Sequence, residues 1–317
     1  MTIAQQLAQE LGLKQWQVDN TIALIDEGNT IPFISRYRKE ATGELNDEIL
    51  RTFDDRLTYL RNMEERKTDI KRIIEEQGKL TDELSAEIDN AQKLSELEDI
   101  YRPYRPKRRT RATIAKEKGL EPLAMMLYMQ TVKEASAEAA AEGFVDTEKG
   151  VESAEDALLG AMDIIAEMVS DNAEHRKKIR ELTEKTGLLC SKAQNPDDDS
   201  VYRDYYEFSE AVSKAVPHRI LAINRGENEK LLSVKIQADD QQILAYLNKK
   251  ELPKESFVGR SYVEAAIADA YTRLIQPSIE REVRNELTDM AHEQAMQVFR
   301  ENLKNLLMQA PICSLTF

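Results

Sequence analysis

Between Asn46 and Gly78 the apolar residues Ile49, Phe53, Leu57, Leu60, Ile70 and Ile74 recur at helical spacing, and charge fills the rest of the circumference. Asn46 suits an N-cap and Gly78 a C-terminal stop, so the pattern predicts one long amphipathic helix. An apolar stripe of that length is buried only against other helices. The wider composition points the same way, with 32% charged and 6% aromatic residues and few glycines or prolines. The chain reads as mostly α, and 317 residues are enough for two domains with a substantial core.

The same period appears elsewhere. Ile3, Leu7 and Leu11 share a face before Gly12, and Val18, Ile22 and Ile25 follow before Gly28. That helix, turn and helix is a pattern that DNA-reading helix-turn-helix units share with ordinary helical hairpins. Pro32 is expected to block helix at Thr30 and Ile31, leaving a connector that carries Arg36, Arg38 and Lys39 beside Tyr37. Helical pattern returns after Pro122, where Leu158, Ile165, Val169 and Ile179 suit packing between helices.

Asn195, Pro196 and the run Asp197, Asp198, Asp199 then break the pattern, which predicts a domain boundary between residues 195 and 196. Two β-prone runs, Ile220 to Ile223 and Leu231 to Ile236, flank Gly226 and Asn228 and predict a β-hairpin over 219–237. Ile279, Val283, Leu287, Ala291, Val298 and Leu306 predict a last helix over 278–309, starting after Pro277. At a rise of roughly 1.5 Å per residue it would reach about 45 Å and bridge units.

The chemistry of catalysis is hard to find. None of the motifs GxSxG, GxxxxGK[ST], HExxH or GxGxxG occurs, and His175, His218 and His292 lie far apart. The three adjacent aspartates lack the alternating spacing of a calcium loop, and Cys190 and Cys313 lack zinc-ligand spacing. The expectation is a protein without catalytic residues, metal or cofactor. Neither a basic leader nor an apolar run of membrane-spanning length is present, so the chain is expected to work in the cytoplasm and away from membranes.

A net charge of -14 should repel nucleic acid, yet the segment LEDIYRPYRPKRRTRATIAKEKGLEPL concentrates Arg102, Arg105, Lys107, Arg108, Arg109 and Arg111 within ten residues. The two Tyr-Arg-Pro units favour an extended start. Such a strand can follow phosphates, with Tyr101 or Tyr104 stacking on an unpaired base. Equally, the arginines can pair with the chain's own carboxylates and pin a proline-rich connector.

Five segments, TIPFISRYRKEATGELND, LEDIYRPYRPKRRTRATIAKEKGLEPLA, DIIAEMVSDNAEHRKKIR, SKAVPHRILAINRGENE and DAYTRLIQPSIEREVRNELT, together resemble the N-terminal part of the Tex family of bacterial transcription accessory proteins. That family is similar in turn to the eukaryotic elongation factor Spt6. The resemblance runs from about Ile3 to Pro311 and implies an elongated multi-helix scaffold with a helix-turn-helix-like unit, nucleic-acid binding and transcription regulation. It implies Arg36, Arg38, Lys39 and Lys107 to Arg111 as candidate contacts. Family members continue into RNase H-like (YqgF), helix-hairpin-helix and S1 domains, none of which matches a segment here, and residues 312–317 depart from the family pattern. The expectation is an N-terminal scaffold over 1–195 and a central region over 196–311, contacting RNA, DNA or the transcription complex. The alternative is a scaffold that docks RNA polymerase or the absent domains without nucleic-acid affinity.

Overall fold

Thr2 opens the first helix with a capping box: its hydroxyl accepts from the Gln5 N–H, and the Gln5 side chain accepts from the Thr2 N–H. The structure, a computed structural model, describes residues 2–106, 109–197, 200–254 and 256–308. It divides into two units, Met1–Tyr104 and Arg105–Phe317.

The first unit is helical throughout. Helix α1 (Ile3–Leu11) ends at Gly12, whose φ of 63° takes the left-handed turn that leads into α2 (Gln15–Asp26). Short helices α3 (Ile31–Tyr37) and α4 (Lys39–Thr42) precede α5 (Asp47–Glu76), which is 30 residues long and capped by Asn46. Helices α6 (Asp82–Asn90) and α7 (Leu94–Tyr101) complete it. The predicted stripe of α5 is its buried face: Phe53, Leu57 and Leu60 pack with Leu7 and Val18, while Leu50 packs with Ile34 and Leu45. Thr30 stays outside the helix as its extended N-cap, as expected, but Pro32 does not block helix at Ile31. It occupies the first turn of α3, where a missing N–H costs nothing because no intrahelical acceptor exists there.

In the second unit, α8 (Arg111–Glu117), α9 (Glu121–Tyr128) and α10 (Ala137–Glu142) surround α11 (Ala154–Asp171). Gly160 of α11 permits this packing, since a Cβ there would lie 2.3 Å from Leu120 Cδ1. Then follow α12 (Ala173–Thr186), β1 (Leu188–Ala193), β2 (Glu207–Ala211), α13 (Pro217–Asn228), β3 (Leu232–Gln237), α14 (Asp240–Glu251), α15 (Arg260–Asp269) and α16 (Gln276–Leu307). The sheet is antiparallel in the order β2-β1-β3, with Leu189 opposite both Glu210 and Ile236.

Further expectations are corrected here. The hairpin over 219–237 is replaced by a three-stranded sheet, and the run Ile220 to Ile223 is helical. Pro217 pre-sets the first turn of α13, and burial of Ile220 and Ile223 three residues apart rewards helix over strand. Only the second run forms a strand, β3, and its partner is β1. The boundary at 195/196 falls inside the second unit, because β1 and β2 on either side of it are paired. Asn195 and Pro196 lie in the connection between those two strands.

The last helix also begins earlier than Pro277. Helix α15 passes through a π-helical turn, Ala270–Ile275, directly into α16. The wider turn accommodates a proline that has no N–H to donate and would crowd the carbonyl one α-helical turn before it. The buried residues of α16, Ile279, Val283, Leu287 and Ala291, belong to the core of the second unit. Arg176 and Arg180 of α12 each donate to Glu282 of α16 at 2.7 Å, and Arg176 also donates to Ser278 at 2.9 Å. Residues 312–317 lie outside the described residues.

Candidate nucleic-acid interface

Helix α3 is anchored from one side. Ile34 is fully buried against Leu45 and Leu50, and the Ser35 hydroxyl donates to the Pro32 carbonyl at 3.1 Å. The opposite face is left in solvent. Phe33 and Tyr37, four residues apart, sit there with ring centroids 5.2 Å apart, and Tyr37 is 70% exposed. Arg38 places its guanidinium carbon 5.9 Å from the centre of the Phe33 ring. Arg36 and Lys39 are exposed beside them.

The support beneath this face is held by hydrogen bonds. Gln17 Nε2 donates to the carbonyls of Thr42 and Gly43 at 3.1 and 3.3 Å, and Asn20 Nδ2 donates to that of Ala41 at 2.9 Å. These bonds fasten α4 and the turn after it to α2. Gly43 adopts a φ of 68°, and a Cβ there would meet Trp16 Cη2 at 2.7 Å.

The Leu97 to Leu123 segment divides differently. Tyr101 is not extended or available: it ends α7, is 4% exposed, and carries the Arg66 guanidinium 5.2 Å above its ring. A buried ring cannot receive a base, so Tyr101 is withdrawn as a stacking residue. Arg102 to Tyr104 form a 3-10 turn instead of a strand. Tyr104 is half-buried and its carbonyl accepts from Gln77 Nε2 at 2.8 Å. Arg102 is half-buried and engaged within the fold. Arg105 is exposed. Lys107 and Arg108 lie outside the described residues.

Beyond them, Arg109 pairs in solvent with Glu117 at 3.1 Å. The Thr110 hydroxyl caps α8 and donates to Glu167 at 3.1 Å. Arg111 is exposed in the first turn of α8 and faces Asp163 at longer range. Burial raises the pKa of the Asp163 carboxyl, and the charges of Arg273 and Arg111 oppose the rise.

Among the described residues, Arg36, Arg38, Lys39, Arg105 and Arg111 take part in no ion pair with a carboxylate. The sequence reading placed Tyr37 beside this cluster but missed that it forms an exposed ring pair with Phe33. The signal was an aromatic pair at helical spacing inside a basic cluster.

His175 is buried and pairs through Nε2 with Glu251, while its Nδ1 lies 3.3 Å from the Tyr246 hydroxyl. Burial works to raise the Glu251 pKa, but hydrogen bonds from His175 and Tyr128 hold it below the usual carboxylate value. His218 and His292 are exposed. Among the described residues no group of His, Cys, Asp and Glu is arranged to hold a metal ion; Asp198 and Asp199 lie outside them. No helix among the described residues is long and apolar enough to cross a membrane.

Two family models match the chain. The Tex-like protein N-terminal domain matches residues 1–75 and the Tex central region-like domain matches residues 133–299. The Arg36 to Lys39 cluster lies inside the first match, and Arg102 to Arg111 lie between the two. Among curated relatives, the Bacillus subtilis protein YdcI is 46% identical, over 98% of this chain and 43% of its own length. The transcriptional accessory protein Tex of Neisseria gonorrhoeae is 38% identical, over 100% of this chain and 42% of its own. The human S1 RNA-binding domain-containing protein 1 is 29% identical, over 98% of this chain and 32% of its own. The chain thus spans less than half the length of each of these relatives.

Proposed function

The chain belongs to the Tex family, and from that premise we propose that it acts in transcription, in the cytoplasm, as a non-enzymatic scaffold that contacts nucleic acid through local basic surfaces. The name of the gonococcal relative supports the transcriptional role, and the name of the human relative supports RNA as a partner of the longer proteins. One observation carries the contact itself. In a chain with 58 acidic and 44 basic residues, Arg36, Arg38, Lys39 and Arg105 stand exposed without a carboxylate partner among the described residues, and exposed Arg111 faces Asp163 only at longer range. Cations that only pinned the fold would be paired with that excess of acid. Unpaired, they are available for phosphate oxygens.

The test is fluorescence anisotropy of labelled RNA and DNA against the 317-residue chain at two salt concentrations. The wild type should bind weakly, with affinity falling as salt rises. Replacing Arg36, Arg38 and Lys39 by Ala, or separately Arg105, Arg109 and Arg111, should weaken binding for all sequences alike. Each triple change should flatten the slope of log affinity against log salt, by up to about three if every cation meets a phosphate. Absence of salt-sensitive binding at low salt would overturn this reading.

A second reading, a scaffold that docks RNA polymerase or further domains of the longer relatives, is favoured by the end of α16. There Met296, Val298, Phe299, Leu306 and Leu307 are all more than half exposed.

A further inference from the structure

We propose that the outer face of α3 is a binding site for single-stranded nucleic acid, with Tyr37 and Phe33 as the platform on which an unpaired base stacks and Arg36, Arg38 and Lys39 as the grip on its phosphates. The proposal rests on the nucleic-acid reading above and narrows it to a strand type and a place.

Three features of this face support a single strand over a duplex. A large aromatic ring exposed to 70% on a buried helical anchor is an unusual use of apolar surface, and Phe33 at 38% extends it along the same helix face. The rings meet at an interplanar angle of 43°, so they are tilted and Tyr37 keeps an open side for a third ring. Finally, three exposed cations lie within four residues of chain at the pair, Arg38 with its guanidinium 5.9 Å from the centre of the Phe33 ring, which favours a ligand that brings both a flat apolar group and negative charge. An unpaired nucleotide has both, whereas a duplex keeps its base faces stacked inside.

The neighbouring helices argue against duplex reading as well. Helix α2, which would be the recognition helix if α1 and α2 formed a DNA-reading helix-turn-helix, contains no Lys or Arg and carries Asp19 and Asp26. Asp26 is tied to Arg61 at 2.7 Å. A helix of that charge has nothing to offer a major groove lined by phosphates. The cations of this unit that are left unpaired on an aromatic face are on α3 and at its C-terminal end.

The experiment measures anisotropy of a fluorescein-labelled oligo(U) 15-mer, an oligo(dT) 15-mer and a blunt DNA duplex of equal length. Wild-type chain is compared with Tyr37→Ala, Phe33→Ala and Tyr37→Phe. Both single strands should bind more tightly than the duplex. Tyr37→Ala should lose about tenfold in single-strand affinity while keeping the wild-type salt slope, since stacking carries no counterion term. Tyr37→Phe should retain the affinity, because the ring and not the hydroxyl is the contact. The exposed position leaves folding intact, which circular dichroism of each variant checks. Salt-sensitive binding that is equal for duplex and single strand, or unchanged in Tyr37→Ala, would overturn the platform and leave the general nucleic-acid reading standing. Failure of the wild type to bind any probe would overturn both.

Discussion

The guanidinium of Arg66 lies 5.2 Å above the ring of Tyr101, with Glu98 holding that arginine from the side at 2.7 Å. The first tyrosine of the basic segment is therefore a core residue of the N-terminal unit, although its Tyr-Arg-Pro context is the same as that of its half-buried neighbour Tyr104. Truncating it should leave a cavity between α5 and α7. Tyr101→Ala is expected to destabilise the unit by about 3 kcal/mol, as for other buried aromatics. The exposed contrast, Tyr37→Ala, should change stability by no more than about 0.5 kcal/mol. Urea unfolding of the two variants side by side checks this, and equal losses would contradict the burial difference.

Gly43 offers a second test, with an internal reporter. Its φ of 68° disfavours a side chain, and an added Cβ would collide with Trp16 and with Gln17 Nε2 at 2.6 Å. Gly43→Ala should cost about 1–3 kcal/mol through strain and displaced packing. Trp16 is the only tryptophan in the chain, so its emission spectrum should shift with the substitution. An unchanged spectrum and midpoint would mean that the turn after α4 tolerates a side chain.

Glu282 sets a pH dependence. Burial alone would raise its pKa, but hydrogen bonding from Arg180 and the charge of Arg176 hold it below the ordinary 4.5. The folded state therefore binds fewer protons there than the unfolded chain. Stability from this carboxylate is complete above the unfolded value and is lost as pH falls through the lower folded value. Glu282→Gln should flatten the acid limb of a stability-against-pH curve measured by denaturant titration.

At neutral pH the same substitution should cost about 3 kcal/mol, because the fully buried Arg176 would lose the charge of the carboxylate to which it donates. A loss confined to low pH would show that Arg176 finds compensation elsewhere.

His175 and Glu251 form the other buried pair, joining α12 to the end of α14. Removing His175 takes one hydrogen-bond donor from the buried Glu251 and leaves Tyr128, so His175→Ala should destabilise the second unit by about 2 kcal/mol. Replacing both residues together with apolar groups of similar size should cost less than the single change. A double-mutant cycle by thermal unfolding measures the coupling, and additive losses would mean the pair contributes nothing as a pair.

Much of this architecture was legible from residue order. Asn46 and the stripe from Ile49 to Ile74 marked a 30-residue helix that the structure places over Asp47–Glu76. The Gly12 break, the mostly α class and the isolated basic clusters followed from equally local signals. Caps, glycine turns and a 3.6-residue period act over a few neighbouring residues, so a reader of the sequence has all the interacting parties in view. The same holds for charge, which can be counted without knowing where the chain goes.

What escaped that reading depended on parties far away in the chain. Ile220 to Ile223 are as β-prone as Leu231 to Ile236, yet only the second run finds an open strand edge, on β1 some forty residues upstream, while the first is buried as helix. The turn at Asn195 and Pro196 looks like a linker until β1 and β2 pair across it. Tyr101 and Tyr37 are both tyrosines beside arginines. Burial separates them, because α5 brings Arg66 over one ring while the other, beside Phe33, stays 70% exposed. Local free energies settle which segments coil, but exposure is a property of everything that packs around a residue, and that sum exists only once the chain has folded.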